Sequence, residues 1–190
     1  MKGSFVQTTL WGIDDLKKIV ETGIIGINFP SALSSQVPLF ADKPMAYCSY
    51  VNKFYSQTYG DREGVIFETD TPIVYSCPVD SLELMRGGNW LPGYEKFIFL
   101  SLEEMLKKYP TPLDFKKDFQ KYFKNLQPKE VYPNNDFNFA ESHFETDYCL
   151  ADWWNPAHNE VTFPKPLKIK NAKIFSSREE LKKLIDFEVL

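Results

Sequence analysis

The segment Trp153–Phe175, WWNPAHNEVTFPKPLKIKNAKIF, constrains this chain more than any other. Val161 and Phe163 alternate with Thr162, the period-2 pattern of a half-buried strand. Pro164 and Pro166 break that strand or confine it to a sheet edge, because proline cannot donate to a ladder. Leu167, Ile169, Ile174 and Phe175 predict a second extended segment. Ahead of the strand lies an aromatic loop, Trp153-Trp154-Asn155-Pro156-Ala157-His158, which turns through its Asn-Pro pair. Glu160 therefore stands at the mouth of a strand, a position from which a carboxylate is held over a cleft. A surface glutamate that merely opens a strand satisfies the same spacing.

With 190 residues, 43% of them hydrophobic and 25% charged, the chain has the composition of one globular domain, 1–190, able to bury a core without staples. A formal net charge of −4 excludes a nucleic-acid clamp built on overall basicity. Lysines gather at 107, 108, 116, 117, 121, 124 and 129 and again at 165, 168, 170 and 173, as solvated faces do. Three cysteines, an odd number with no CxxC pair, indicate neither a zinc ribbon nor a disulfide framework. No basic segment leads into an apolar run at the N-terminus, and no stretch has membrane-spanning length. A cytoplasmic protein that does not bind membranes is the expectation.

Along the chain, Ser4–Thr9 predicts a short strand. Asp14 predicts the N-cap of a helix over 15–22, with Leu16, Ile19 and Val20 on its apolar face and Gly23 as its stop. Residues 24–29 predict an extended segment. Pro44 fits the first turn of a helix over 43–56 that buries Ala46, Tyr47, Tyr50, Val51 and Phe54. Val65-Ile66-Phe67-Glu68 predicts a strand, as do Pro72-Ile73-Val74-Tyr75 and residues 96–100. Ser81–Met85 reads as one helical turn. Ser101 predicts the cap of a helix through Tyr109, with Glu103 and Glu104 in its first turn. Helices over 113–125 and 177–186 complete the reading, and residues 126–152 read as a long irregular loop. The fold class is α+β.

Few constellations offer chemistry. His143, Cys149 and His158 match no tetrahedral metal spacing, so no metal is expected. Cys149 has no histidine at a spacing that makes it a nucleophile, although partners need only be close in space. His158 and Glu160, two apart on a strand, share a face and suit the general acid–base pair of a metal-independent ribonuclease. No GxxxxGK[ST] loop is present, and Gly87-Gly88 makes no dinucleotide fingerprint.

The order of segments resembles the ADP-ribosyltransferase superfamily, and most of all its DarT-type branch of nucleic-acid-modifying toxins. One block is IDDLKKIVETGIIG, similar to the helix and glycine exit that follow the first NAD-contacting strand in those enzymes. The other is NEV…LKIKNAKIFSSREELKKLI, similar to their catalytic-glutamate strand, the next hydrophobic strand and the closing helix. The resemblance implies a split of small mixed or antiparallel sheets with flanking helices and NAD as co-substrate. It implies that Glu160 is the catalytic glutamate, holding the nicotinamide-ribose 2′-hydroxyl and stabilising the cationic sugar as nicotinamide leaves. Tyr47 and Tyr50 fall where aromatics flank nicotinamide, with core packing as the plainer role of both. Where related enzymes carry His or Arg on the first strand, this chain has Gln7, Thr8 and Thr9. Gln7 or Thr9 offers the ribose an uncharged hydrogen bond, and Arg62 is the nearest replacement for a pyrophosphate contact. Trp153, Trp154, Asn155 and His158 occupy the place that reads the acceptor.

These residues lead to the expectation of a mono-ADP-ribosyltransferase that cleaves NAD and modifies a macromolecule, a nucleic-acid base before a protein side chain. A toxin of this kind implies an inhibitory antitoxin partner. The missing first-strand His or Arg equally describes a catalytically silent binding module on the same fold, and His158 with Glu160 keeps the ribonuclease in view.

Overall fold

A computed structural model describes residues 4–8, 13–26, 44–52, 54–55, 63–79, 81–86, 89–90, 92–123 and 159–187. In chain order these form β1 (Ser4–Thr8), α1 (Ile13–Thr22), β2 (Ile24–Ile25), β3 (Met45–Val51), β4 (Gly64–Glu68), β5 (Tyr75–Cys77), a 3₁₀ turn at Ser81–Leu84, β6 (Met85–Arg86) and β7 (Asn89–Trp90). A second 3₁₀ turn at Tyr94–Phe97 leads to α2 (Leu102–Lys108) and α3 (Pro112–Phe123). After these come β8 (Glu160–Pro164), β9 (Leu167–Lys168), β10 (Lys170–Phe175) and α4 (Arg178–Phe187). Six strands make one antiparallel sheet in the order β10-β4-β1-β3-β8-β5, flanked by helices, an α+β architecture.

The helices form where the capping chemistry predicts. In α1, Asp14 and Asp15 lie in the first turn, where carboxylates favour the helix dipole, and Leu16 and Ile19 are buried. The helix begins at Ile13, so Asp14 sits inside that turn instead of capping it. Gly23 ends it in the left-handed region at φ 64°, with its N–H donating to the Ile19 carbonyl at 2.9 Å. Ser101 caps α2 by accepting the Glu104 N–H at 3.1 Å. The α2–α3 corner is tied by the Tyr55 hydroxyl donating to the Tyr109 carbonyl, 2.8 Å, and the Tyr109 hydroxyl donating to Asp118, 2.6 Å.

Several expectations along the chain change; the strand predicted over Pro72–Tyr75 lies instead at Tyr75–Cys77. The helix predicted over 43–56 is instead β3, a strand paired on both sides. Ala46, Cys48 and Val51 are buried on alternate faces of a doubly covered strand, so its apolar residues run nearly continuously and show no clean period of two. β8 ends at Pro164 and β9 starts at Leu167, so the prolines break the strand and do not confine it to an edge: β3 and β5 flank β8, and Glu160–Phe163 are buried on both faces. Pro164 is its last residue, opposite Met45, where a missing donor does least damage. Residues 96–100 form no continuous strand; Phe99 makes a single bridge, exchanging two backbone bonds with Ser76 at 2.8 and 2.9 Å.

Register sorts the core by face. Phe5, Ala46, Cys48, Val65, Phe67, Val161 and Phe163 project to one side and pack with Leu16 and Ile19 of α1 and Leu102 and Met105 of α2. Phe5 and Phe163 meet edge to face at 5.0 Å, a favoured quadrupole geometry. Val6, Val51, Ile66 and Phe175 project to the other side against Leu181 and Ile185 of α4. A third, aromatic cluster gathers Tyr75, Tyr94, Phe97, Tyr109, Phe115 and Phe119. The segment after β8 also closes on α1: β2 pairs with β9, and the Ile169 N–H donates to the Gly23 carbonyl at 2.8 Å.

Gly64 marks the closest approach within the sheet. A Cβ there would lie 2.6 Å from the Gln7 carbonyl oxygen and 2.6 Å from the Phe175 ring. Gly64→Ala is expected to cost about 2 kcal/mol through overpacking, read as a lowered urea midpoint; a variant as stable as its parent would contradict the packing.

Candidate active site

The sheet divides at its centre. Among the described residues β1 pairs with β3 only from Ser4–Val51 to Val6–Ser49. Beyond that rung Gln7 and Thr8 follow β4, while Met45–Cys48 follow β8 on the other side. Two halves, β10-β4-β1 and β3-β8-β5, thus part from a common rung. Gln7 and Cys48 face each other across the opening, both buried, with the Cys48 thiol donating to Gln7 Oε1 at 3.4 Å.

Glu160 opens β8 beside this division. The residue before it, Asn159, is wholly buried and uses its side-chain amide as a strand would use its peptide. Asn159 Oδ1 accepts the Tyr50 N–H at 2.8 Å, and Asn159 Nδ2 donates to the Tyr50 carbonyl at 2.8 Å. The amide therefore extends the β3–β8 ladder past Cys48–Val161 and fixes where β8 begins.

The Glu160 side chain turns inward and is only 7% exposed. Its Oε1 accepts the Tyr75 hydroxyl at 2.7 Å, a short bond of the kind charged acceptors make. Burial pushes the Tyr75 phenol well above its ordinary pKa, and the Glu160 charge adds to that shift, so Tyr75 is a neutral donor. Thr162 secures the same strand pair, its hydroxyl accepting the Tyr75 N–H and donating to the Tyr75 carbonyl, each at 3.2 Å. In register, Tyr47, Thr162 and Tyr75 form one row across β3, β8 and β5, and Glu160 and Cys77 stand in the next. A buried carboxylate with a fixed oxygen can hold a hydroxyl and stabilise positive charge developing beside it.

Cys48 and Lys165 belong to the other face. Burial raises the Cys48 thiol far above its usual range, the Lys165 ammonium opposes that shift and the Glu160 charge reinforces it. Cys48 is accordingly a thiol and not a nucleophilic thiolate. Burial lowers the Lys165 ammonium to about 8, partly offset by Cys48. A hollow of about 340 Å³ also opens on this face, over Phe5 and Phe163, with Asp70 and Glu103 among its lining residues. Glu160 is not among them.

Of the residues singled out in the sequence, Gln7, Tyr47, Tyr50 and Glu160 are described. Tyr47 shares the Glu160 face, whereas Tyr50 projects to the opposite one and packs on Phe5 and Tyr55 with centroids 6.0 and 6.4 Å away. The strand separates two side chains that a helix would have placed on neighbouring positions. Thr9, Arg62, Trp153, Trp154, Asn155 and His158 lie outside the described residues, as do His143 and Cys149. Tyr75 and Asn159 are not singled out by the sequence reading. Asn159 stood next to the glutamate and was open to notice; no spacing signal links Tyr75 to a residue 85 positions away.

Among the described residues no three His, Cys, Asp or Glu side chains gather to hold a metal, and no helix is long and apolar enough to cross a membrane. Comparisons with family models, curated proteins and solved structures find no match to this chain.

Asn159→Ala would remove both amide bonds and leave the buried Tyr50 peptide groups without those partners. The expected loss is about 2–4 kcal/mol of unfolding free energy, measured by denaturant titration; a loss below about 0.5 kcal/mol would contradict the ladder role.

Proposed function

We propose that this chain is a mono-ADP-ribosyltransferase that cleaves NAD and transfers ADP-ribose to a macromolecular acceptor, a nucleic-acid base in preference to a protein side chain. The observation that carries the reading is the buried, hydrogen-bonded Glu160 at the head of a central strand. A glutamate that merely opens a strand on the surface has no need of either property. The contact between the two sequence blocks that carry the family resemblance, through β2–β9 and Gly23–Ile169, supports the same reading.

In this mechanism the bond between nicotinamide and the ribose C1 breaks, and its electron pair leaves with the nicotinamide. Glu160 accepts a hydrogen bond from the ribose 2′-hydroxyl and faces the positive charge that develops on the sugar. Such charge is stabilised most where water is scarce and the anion is already in place. An acceptor nitrogen or oxygen then forms the new bond to C1 and releases its proton. Gln7 projects from the opposite face of the sheet, so the Glu160 face takes the cofactor without it. Tyr47, on the Glu160 face, flanks the nicotinamide. Trp153, Trp154, Asn155 and His158 receive the acceptor, where stacking of a base on an aromatic ring contributes about 1–3 kcal/mol. The buried thiols Cys48 and Cys77, neither in a disulfide, suit a reducing cytoplasm, and an inhibitory partner belongs to the toxin role.

One observation favours a second reading. Gln7 carries no charge and already accepts the Cys48 thiol, which suits a binding module that does not turn over NAD.

The purified chain is incubated with labelled NAD and with DNA, RNA and protein. Label transfer to one acceptor is expected, and Glu160→Gln is expected to reduce it at least 100-fold, the scale of a lost electrostatic stabiliser. No NAD consumption by the parent chain would reject the transferase, and RNA cleavage without NAD would establish the ribonuclease instead.

A further inference from the structure

We propose that Tyr75 is the positioning residue for Glu160. The inference rests on the reading of Glu160 as the acting carboxylate, and its geometry stands independently of which reaction that carboxylate serves. Tyr75 lies on the outermost strand of the sheet, yet it is wholly buried, with its ring in the aromatic cluster beside Cys77, Leu84 and Phe97. Its backbone is held on Thr162: the Val74 N–H donates to the Thr162 carbonyl at 2.8 Å, and the Thr162 hydroxyl bonds both Tyr75 peptide groups. Ring and backbone together leave the phenolic oxygen almost no freedom. The phenol proton is directed at Glu160 Oε1, 2.7 Å away.

The chemistry of the donor matters. A lysine or arginine at this place would fix the carboxylate and also neutralise it, weakening its hold on a cation. A phenol kept protonated by burial fixes one oxygen and leaves the negative charge whole. Held in this way, the anion need not reorganise when positive charge appears, and preorganisation of that kind is where such sites gain most of their effect. A tyrosine whose hydroxyl simply needed an acceptor would be served equally well by a backbone carbonyl, as Tyr55 is by that of Tyr109.

The test reads the Glu160 carboxyl directly in the full-length chain, by carbon NMR titration with its resonance identified by comparison with Glu160→Gln. Removing a donor to the charged form favours protonation. Tyr75→Phe is expected to move the Glu160 midpoint upward by about one pH unit. If Tyr75→Phe does not fold, the Tyr75 hydroxyl proton of the parent chain decides: a slowly exchanging resonance that Glu160→Gln shifts is expected. An unchanged midpoint in Tyr75→Phe, or a hydroxyl proton that Glu160→Gln leaves where it was, would overturn the proposal. If the parent chain transfers ADP-ribose, Tyr75→Phe is further expected to lower kcat about tenfold at unchanged KM for NAD, and full retained kcat would overturn the proposal. If the parent chain transfers none, the transferase reading fails and the titration still decides the role of Tyr75.

Discussion

A carboxylate taken out of water stays charged only where hydrogen bonds replace its hydration. The Tyr75–Glu160 bond meets that condition, and much of the surrounding structure serves it. β8 has to lie inside the sheet so that Glu160 is covered, and Asn159 has to extend the ladder so that β8 begins at the right residue. β5 is three residues long, and its first residue supplies the donor. Two groups that poorly tolerate the loss of water, a buried amide and a buried carboxylate, are consecutive in sequence and satisfied by different strands. That arrangement is demanding, since losing either partner strands a polar group in the core.

The division of the sheet explains why polar side chains collect at its middle. Where β1 and β3 stop pairing, the ladder no longer fills the space between them, and side chains do so instead. Gln7 and Cys48 meet across that space on one face, and Glu160 lies near it on the other. Hydrophobic residues dominate the sheet away from this point, with α1 and α2 covering one face and α4 part of the other. Apolar packing and polar contacts are thereby segregated, and the flanking packing offsets the unfavourable terms of a polar centre.

How much of this was legible in the sequence depends on the kind of signal. The first and last helices were readable because caps and breakers are local: Asp14-Asp15, Gly23 and Ser177 act on the turn in which they stand. Glu160 was readable by position, at the head of an alternating run. β3 was misread because its double coverage erased the alternation that announces a strand, leaving apolar residues at spacings a helix also produces. Tyr75 carries no local signal, since its importance comes from β5 pairing with a strand more than eighty residues later. Local chemistry is written in neighbouring residues; long-range hydrogen bonds are written only in the fold.

The most direct measurement is a crystal structure of Glu160→Gln, a near-isosteric side chain without charge, soaked with NAD. The account requires the nicotinamide ribose within hydrogen-bonding distance of residue 160 and the dinucleotide running across the division between β1 and β3. A dinucleotide seated elsewhere, such as in the hollow over Phe5 and Phe163, would contradict it. So would a crystal that takes up no dinucleotide at saturating NAD.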